Sequence, residues 1–416
     1  MNLFVYTELA GQTVYVGQLF VENRHRRLAS AFAYDTAYMS NPKAYPIDPT
    51  LPLVSGTWPV SSGLPRSFLD AAPDRWGRNL INRRTALEAA EKRVSPRTLS
   101  ELDYLLGVSD VSRQGALRFR VTQDGDFEHP ATNVPRLVDL PALLSATRRV
   151  ANDNEPALDA VKMLLDVGSA SLGGARPKAS VMDGTRLTVA KFPHPQDRWN
   201  VIAWEMTALD LAEAAGVSVP ERRLEMVGGS PVLLTERFDR TDKGNRRGYI
   251  SAMTLCEATE GDLGDYLDIA ERLATMSGSA HEDLVQLWRR VVLGIAINNT
   301  DDHLRNHGLL RTNRGWRLSP AFDLNPDPHM AAAHTTSIGG VVHGEDTVAV
   351  LSSTVQCFGV SVDLAMKIVR DVIDSVKQWD RVAARNGISR SERTRFSPVF
   401  HQGVSTLEAS LDSLGG

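Results

Sequence analysis

A polar segment that directly follows an apolar helical stretch constrains this chain most. Residues 281–297 place apolar side chains at helical spacing, namely Leu284, Val285, Leu287, Trp288, Val291, Val292 and Ile295. The segment Asn299-Thr300-Asp301-Asp302-His303-Leu304-Arg305-Asn306 comes next. A core helix that ends in acids and amides predicts a rigid base with a functional loop at its end.

The spacing within this loop indicates phosphoryl transfer. Asn306 follows Asp301 by five positions, and Asp323 comes after a predicted hairpin of residues 308–312 and 316–319. Protein kinases use an Asp, an Asn five positions later and a further Asp to orient a hydroxyl and hold magnesium. Taken singly, Asp301 and Asp302 are better explained as the solvated end of a helix, and Asp323 as a turn residue. Together they favour an ATP-dependent kinase.

A loop of small residues at 168–178 suits phosphate binding through its backbone N–H groups, although it is not a Walker loop. Strands at 179–182 and 186–192 flank the turn Asp183-Gly184, and Lys191 lies late in the second strand. We predict that Lys191 contacts the phosphates and pairs with Glu205 on a helix over 201–215. The simpler alternatives are a solvated edge lysine and a partly exposed glutamate.

Two further groups allow more than one interpretation. Residues 236–240, Glu-Arg-Phe-Asp-Arg, follow a probable strand and suit either an adenine-binding hinge or a surface turn with ion pairs. His303 and His307 suggest a metal hydrolase as a less favoured alternative, with the more distant histidines His329, His334 and His343 as further ligands.

The bulk properties exclude several classes of protein. The 416 residues are 42% hydrophobic and 23% charged, which is ordinary for a globular protein. The net charge of -4 does not indicate a protein whose overall charge attracts nucleic acid. Two cysteines, Cys256 and Cys357, predict no disulfide framework. The start resembles no signal peptide and no apolar run reaches the length of a membrane span, so we expect a cytoplasmic protein without membrane contact.

The order of elements predicts an α+β chain in four parts. These are a β-rich domain over 1–125, a linker and helix over 126–156, a sheet-containing core with the phosphate loop over 157–236, and a helical lobe over 237–416. The expected strands are 3–8, 13–21, 27–38, 222–226 and 232–236, and the remaining expected helices are 66–93, 97–107 and 362–384.

Six ordered blocks of the chain resemble the HipA family, the serine/threonine kinase toxins of bacterial type II toxin–antitoxin operons. They are Ser171 to Lys178, Val189-Ala190-Lys191, Glu205 with Pro220 after its helix, Glu236 to Arg240, Asn299 to Asn306, and Leu318 to Asp323. Near the start, Gly63-Leu64-Pro65 and Asp74-Arg75-Trp76-Gly77 are similar to the family's N-terminal domain.

The resemblance implies a two-lobed protein-kinase-like fold of the phosphoinositide-kinase-like branch, with a β-rich N-terminal domain and a mainly helical C-terminal lobe. It implies Asp301 as catalytic acid/base, Asn306 and Asp323 as Mg²⁺ ligands and Lys191 as the phosphate-holding lysine. The ATP contacts assigned with it are Gly173, Gly174, Ala175, Arg176, Pro177, Lys178, Glu236, Arg237, Phe238, Asp239, His303 and Phe322.

Regulation and partners are implied in the same way. Ser171 matches the autophosphorylated serine of the family's phosphate loop, with Ser169 as a rival acceptor, and a phosphate there would repel ATP. The implied partners are a HipB-like helix-turn-helix antitoxin, operator DNA bound through that antitoxin, and a protein substrate such as glutamyl-tRNA synthetase or another aminoacyl-tRNA synthetase. Phosphorylation of that substrate would cause growth arrest or persistence.

Two departures and two alternatives accompany this interpretation. Asp302 stands where the family commonly has a small residue, and the segment Gly173 to Pro177 is a variant of the family loop. A small-molecule or lipid kinase would use the same catalytic groups. A DNA-tethered corepressor with vestigial catalysis would not need them all.

Overall fold

The computed structural model describes residues 1–24, 27–129, 134–152, 157–168, 176–342 and 346–415. The chain forms two compact units. The first contains Met1–Gln196 and Glu225–Ile250, and the second contains Asp197–Leu224 and Ser251–Gly416. The four-part division inferred from the sequence stays a prediction.

The strands are β1 (Asn2–Leu9), β2 (Gln12–Arg24), β3 (Arg27–Tyr34), β4 (Thr57–Val60), β5 (Arg118–Arg120), β6 (Lys178–Asp183), β7 (Arg186–Lys191), β8 (Arg222–Val227), β9 (Ser230–Glu236), β10 (Tyr249–Ser251), β11 (Gly264–Asp265), β12 (Gly308–Thr312), β13 (Gly315–Leu318) and β14 (Thr336–Ser337). The α-helices are α1 (Thr36–Met39), α2 (Arg66–Asp70), α3 (Arg75–Glu91), α4 (Glu101–Leu106), α5 (Leu140–Ala151), α6 (Leu158–Asp166), α7 (Val201–Ala214), α8 (Ala252–Leu255), α9 (Tyr266–Met276), α10 (Ala280–Ala296), α11 (Asp346–Thr354), α12 (Val362–Val376), α13 (Trp379–Arg385) and α14 (Arg390–Gly415).

An antiparallel five-stranded sheet opens the first unit, in the order β4-β3-β2-β1-β5. The predicted strand over 27–38 is too long, because β3 ends at Tyr34. The side chain of Asp35 then accepts hydrogen bonds from the backbone N–H groups of Ala37 and Tyr38 and starts α1. The predicted helix over 66–93 is likewise two helices. They are separated around Pro73, and Asp74 caps the second by accepting from the N–H of Gly77 at 2.7 Å.

A second sheet has the order β6-β7-β9-β8, and its strands β6, β7 and β9 belong to the first unit. The turn between β6 and β7 is the predicted one, with Gly184 at φ +59° and Asp183 paired with Arg186. Helices α3, α5 and α6 bury their apolar faces in the same core as this sheet. Core members from these elements include Leu80, Leu143, Leu144, Val161, Leu164, Val181, Ala190, Val232 and Leu234.

The second unit is mainly helical, with α10 packed against α9, α12 and α14. The predicted helix over 362–384 is interrupted, since α12 ends at Val376 and α13 begins at Trp379. A tightened turn, in which the N–H of Gln378 donates to the carbonyl of Ser375 at 3.0 Å, changes the chain direction there. The ring of Trp379 then stacks with those of Trp204 and Phe400.

Alanine substitutions at two buried glycines of these helices should change stability in opposite directions. Apart from the adjacent backbone of its own helix, a Cβ at Gly294 in α10 would meet no atom of the described residues within 4 Å. Because glycine in a helix interior is destabilising by roughly 0.5–1 kcal/mol relative to alanine, we expect Gly294→Ala to raise the free energy of unfolding by about that amount. A Cβ at Gly403 in α14 would lie 2.1 Å from the carbonyl oxygen of Ala296, so Gly403→Ala should destabilise. Urea unfolding of both variants tests this, and a destabilised Gly294→Ala protein would contradict the packing around α10.

Candidate active site

The loop that carries Asp301 leaves α10 through a sharp change of direction. Asn298 has a left-handed backbone with φ +52°, a conformation that asparagine tolerates better than most residues. Its side-chain amide donates to the carbonyl of Asp327 at 2.8 Å. Because α10 packs against α9, α12 and α14, the loop starts from a helix that is fixed in the core of the second unit.

The structure places the side chain of Asn306 against the backbone of Asp301, five positions earlier. The side-chain amide nitrogen of Asn306 donates to the backbone carbonyl of Asp301 at 3.0 Å. This bond uses the N–H side of the amide, so the carbonyl oxygen of the Asn306 side chain is the group left to accept or to ligate a cation. Asp301 itself is exposed, while Asn306 is buried. An exposed carboxylate in the same short loop as an amide that is held by its N–H side suits a base and a metal ligand.

Asp323 belongs to a loop that is bonded to the Asp301 loop. The hairpin of β12 and β13 reverses the chain, and the N–H of Ser319 donates to the carbonyl of Gly308 at 2.8 Å. Farther on, the N–H of Asn325 donates to the side-chain oxygen of Asn299 at 3.1 Å, and its amide donates to the carbonyl of Asp323 at 3.2 Å. Both loops lie in the second unit, so the three predicted magnesium-site and base residues sit on adjoining segments.

The backbone of Asp323 is unusual, with φ +59°. A non-glycine residue in this region is uncommon, and aspartate and asparagine are among the residues that tolerate it best. Such conformations cluster at functional sites when the surrounding structure holds them in place. Here Asn325 supplies the hydrogen bond to the Asp323 carbonyl. Phe322, the other predicted nucleotide contact in this segment, is half-buried.

Asp302 faces the interior of the second unit, unlike its neighbour Asp301. Its carboxylate accepts a short hydrogen bond from the Tyr266 hydroxyl, and Nε2 of His307 lies 3.2 Å from the same oxygen. Burial, the largest influence, raises the pKa of Asp302, but His307 and the hydrogen bonds lower this pKa more, so the net shift is downward. Burial and the Asp302 charge raise the pKa of Tyr266 well above its usual value.

Arg290 on α10 completes this buried group. Burial lowers the pKa of its guanidinium to about 10, against the attraction of Asp302 and Asp283. The guanidinium donates a short hydrogen bond to the carbonyl of Ser319. Sequence reasoning missed the roles of Tyr266, Arg290 and Asn325. The only signal was Asp302 itself, an acid where the family commonly has a small residue.

The histidines that the structure describes do not form a cluster of the kind that a metal hydrolase needs. Within the described ranges, no three His, Cys, Asp or Glu side chains are arranged to hold a metal ion. His307 lies against Asp302, and Nδ1 of His329 lies 2.7 Å from Asp327. His303 is half-buried, and His343 lies outside the described residues.

The predicted phosphate-binding lysines belong to the first unit. Lys191 is the last residue of β7, is half-buried, and lies opposite Leu233 of β9. Lys178 is almost fully buried, and its ammonium lies 2.6 Å from the carboxylate of Asp74, the residue that caps α3. This ion pair gives Lys178 a structural role, and its contact with a nucleotide stays a prediction. Of the other loop residues, Arg176 is half-buried and Pro177 is buried, while Ser169, Ser171, Gly173, Gly174 and Ala175 lie outside the described residues.

Residues 236–240 form ion pairs at the end of β9. Glu236 pairs with Arg186 at 2.7 Å. Arg237 and Asp239 form a buried pair at 2.6 Å, and Asp239 also accepts from Arg240 and from the N–H of Gly115, each at 2.8 Å. Burial raises the pKa of Asp239, but Arg237 and Arg240 outweigh it and hold this pKa well below its usual range.

These ion pairs bear on the predicted adenine contacts. The side chains of Arg237 and Asp239 are occupied by buried structural contacts, so an adenine contact here would use backbone groups. Phe238 is half-buried and stacks on Tyr249 with ring centroids 6.5 Å apart. Glu205 of the predicted Lys191 pair is buried on α7 of the second unit, and that pairing stays a prediction.

Two family models match the chain. The HipA-like C-terminal domain matches residues 170–379, and the HipA N-terminal domain matches residues 9–102. This chain belongs to the HipA-like family. The first model alone covers half of the chain, and it contains Asp301, Asn306 and Asp323.

Among curated proteins, the chain is 29% identical over 160 residues to "Putative kinase Y4dM" of Sinorhizobium fredii, covering 35% of this chain and 36% of that protein. It is 24% identical over 197 residues to "Toxin YjjJ" of Escherichia coli, covering 45% of this chain and 44% of that protein. The matched stretches therefore span less than half the length of these relatives.

A solved complex of HipA, HipB and operator DNA from Shewanella oneidensis contains a chain of the same fold. The TM-score is 0.65 at 15% identity, and the match covers 98% of this chain and 96% of that chain. The expected α+β fold is thereby confirmed. No helix among the described residues is both long and apolar enough to cross a membrane.

Proposed function

We propose that this chain is an ATP- and Mg²⁺-dependent serine/threonine protein kinase that acts as the toxin of a toxin–antitoxin pair. The observation that carries the proposal is the hydrogen-bonded pair of loops in the second unit. Asn306 is bonded to the Asp301 carbonyl, and Asn325 joins the Asp323 segment to Asn299. Phosphoryl transfer depends on positioning and charge stabilisation more than on covalent chemistry, and these loops supply both.

Each group has a role that its surroundings support. Asp301 is exposed, so it can accept a hydrogen bond from a protein hydroxyl that attacks the γ-phosphate. The oxygen of the Asn306 amide and the Asp323 carboxylate are hard oxygen donors, which Mg²⁺ prefers. Bound Mg²⁺ would neutralise charge on the β- and γ-phosphates. Lys191 is proposed to contact the phosphates, and His303 and Phe322 to contribute to the nucleotide site.

The biological context is proposed from the relatives. A relative that is named a toxin and a neighbour solved with HipB and operator DNA support a helix-turn-helix antitoxin and operator DNA as partners. We propose a translation component, such as an aminoacyl-tRNA synthetase, as the protein substrate. Ser171 is proposed as the acceptor in self-phosphorylation, which would switch off the enzyme by placing negative charge where ATP phosphates bind.

Labelled ATP distinguishes this proposal from a small-molecule or lipid kinase. The purified chain is incubated with γ-labelled ATP and Mg²⁺ in bacterial lysate, with Asp301→Asn as the inactive reference. We expect label on one or a few lysate proteins, on serine or threonine, and on a peptide of the chain that includes residue 171. Label found only in small molecules or lipids would contradict the protein-kinase proposal.

A further inference from the structure

Two adjacent acids at the start of the candidate loop have opposite surroundings. Asp301 is exposed, whereas Asp302 is only 4% exposed. Their side chains therefore serve different purposes, because an ionised carboxylate is buried at a large cost unless partners compensate it. Asp302 has such partners, and all of them lie in the second unit.

The partners of Asp302 come from three separate stretches of the chain. The Tyr266 hydroxyl, at the start of α9, donates to its carboxylate, and the His307 ring lies beside the same oxygen. The Tyr266 and His307 rings meet edge to face with centroids 5.5 Å apart. The positive charge of Arg290 on α10 interacts with the negative charge of Asp302. The group is thus buried in the second unit, unlike a surface ion pair.

This buried group is connected to both candidate loops. The carbonyl of Asp302 accepts from the Thr336 hydroxyl at 2.5 Å, and Thr336 is paired with Gly264 in the parallel β11–β14 bridge. The carbonyl of His307 accepts from the N–H of Ala252 at 2.7 Å. Arg290 donates to the carbonyl of Ser319, at the start of the segment that leads to Asp323. Both ends of the turn from residue 302 to residue 307 are therefore fixed.

We propose that Asp302 is a positioning residue, whose buried carboxylate, held by Tyr266 and His307, fixes the turn that carries Asp301 and Asn306. The inference rests on the proposed function for its effect on catalysis. Its structural content, the fixing of the turn, is independent of that function. Groups that orient the ligands of a metal site commonly affect activity by about 10- to 100-fold without touching the substrate.

Conservative variants test the effect on catalysis. Tyr266→Phe removes only the hydroxyl, and Asp302→Asn keeps the shape while removing the charge. We expect each substitution to lower the kcat of phosphoryl transfer by about 10- to 100-fold and to change the KM for ATP by less than about twofold. The reason is that each substitution alters the turn and not the binding of ATP. The double variant should have about the same kcat as the less active of the two single variants, because both changes break one unit.

Tyr38→Phe is the matched control for a structural effect. It removes another buried tyrosine hydroxyl, which donates to the Tyr45 carbonyl at 2.9 Å in the first unit. We expect a loss of thermal stability similar to that of Tyr266→Phe, with kcat unchanged. Any of three results would overturn the inference. The first is a normal kcat in folded Tyr266→Phe and Asp302→Asn, and the second is a double variant in which the two losses of kcat multiply. The third is an equal fall of kcat in Tyr38→Phe.

Hydrogen exchange separates this inference from the proposed function. In Asp302→Asn and Tyr266→Phe, the amides of residues 303–306 should exchange at least about tenfold faster than in wild type, and Tyr38→Phe should leave them unchanged. If wild type transfers no phosphate but exchange rises as expected, the proposed function fails and the positioning role stands. Unchanged exchange at these amides would overturn the positioning role, whatever the activity of the wild type.

Discussion

Asp301→Asn should lower the rate of phosphoryl transfer by about 10²- to 10⁴-fold, the range for loss of a general acid/base. Asparagine has nearly the same shape but cannot take the proton of the attacking hydroxyl. The contact with Asn306 uses the backbone carbonyl of Asp301, so the substitution leaves that hydrogen bond in place. Single-turnover transfer from labelled ATP measures the change.

Stability separates a chemical from a structural effect of this substitution. Asp301 is exposed, so its replacement should change the free energy of unfolding by less than about 0.5 kcal/mol. Asp374→Asn, an exposed acid on α12 of the same unit, is the matched control and should keep full activity. A folded Asp301→Asn enzyme with wild-type activity would remove Asp301 from the mechanism.

Asp239→Ala should destabilise the protein by about 3–5 kcal/mol, the usual result of removing one partner of a buried ion pair. The substitution leaves Arg237, Arg240 and the N–H of Gly115 without this buried acceptor. Urea unfolding followed by circular dichroism measures the loss. Asp242→Ala, an exposed acid three positions later, should change stability by less than about 0.5 kcal/mol.

The same residue predicts how stability depends on pH. The pKa of Asp239 is lower in the folded protein than the usual value of about 3.9 in an unfolded chain. Its contribution is therefore present above pH 4 or so and is lost as the pH falls through the folded pKa. Asp239→Ala should flatten the decline of stability below about pH 4. If Asp239→Ala instead has the stability of wild type and only binds ATP less tightly, the result would support the prediction that residues 236–239 contact adenine.

Local chemistry explains which parts of the fold were predictable. The Asp183-Gly184 turn, the helix over 201–215 and the 308–319 hairpin depend on residues close in sequence, and the structure has all three. The break between α12 and α13 was missed because apolar spacing continues across it. It results from the packing of Trp379 on Trp204 and Phe400, which are distant in sequence.

The candidate site shows the same limit. The spacing of Asp301 and Asn306 identified a loop whose two residues are in contact, because both lie in one short segment. The partners of Asp302 did not follow from the sequence, since Tyr266 and Arg290 come from other helices and no periodic pattern marks them. The pairing of Arg237 with Asp239 is local, but its burial against Gly115 is not.

The dependence of ATP affinity on Mg²⁺ tests the central claim most directly. Asp323→Asn is the informative variant, because asparagine tolerates the left-handed backbone at this position while the charge is lost. In wild type, Mg²⁺ should tighten ATP binding by about 5- to 150-fold, a typical coupling between two ligands, and Asp374→Asn should behave alike. In Asp323→Asn most of this effect should disappear. An equal effect of Mg²⁺ in Asp323→Asn and wild type would contradict the assignment of these loops as a magnesium–nucleotide site.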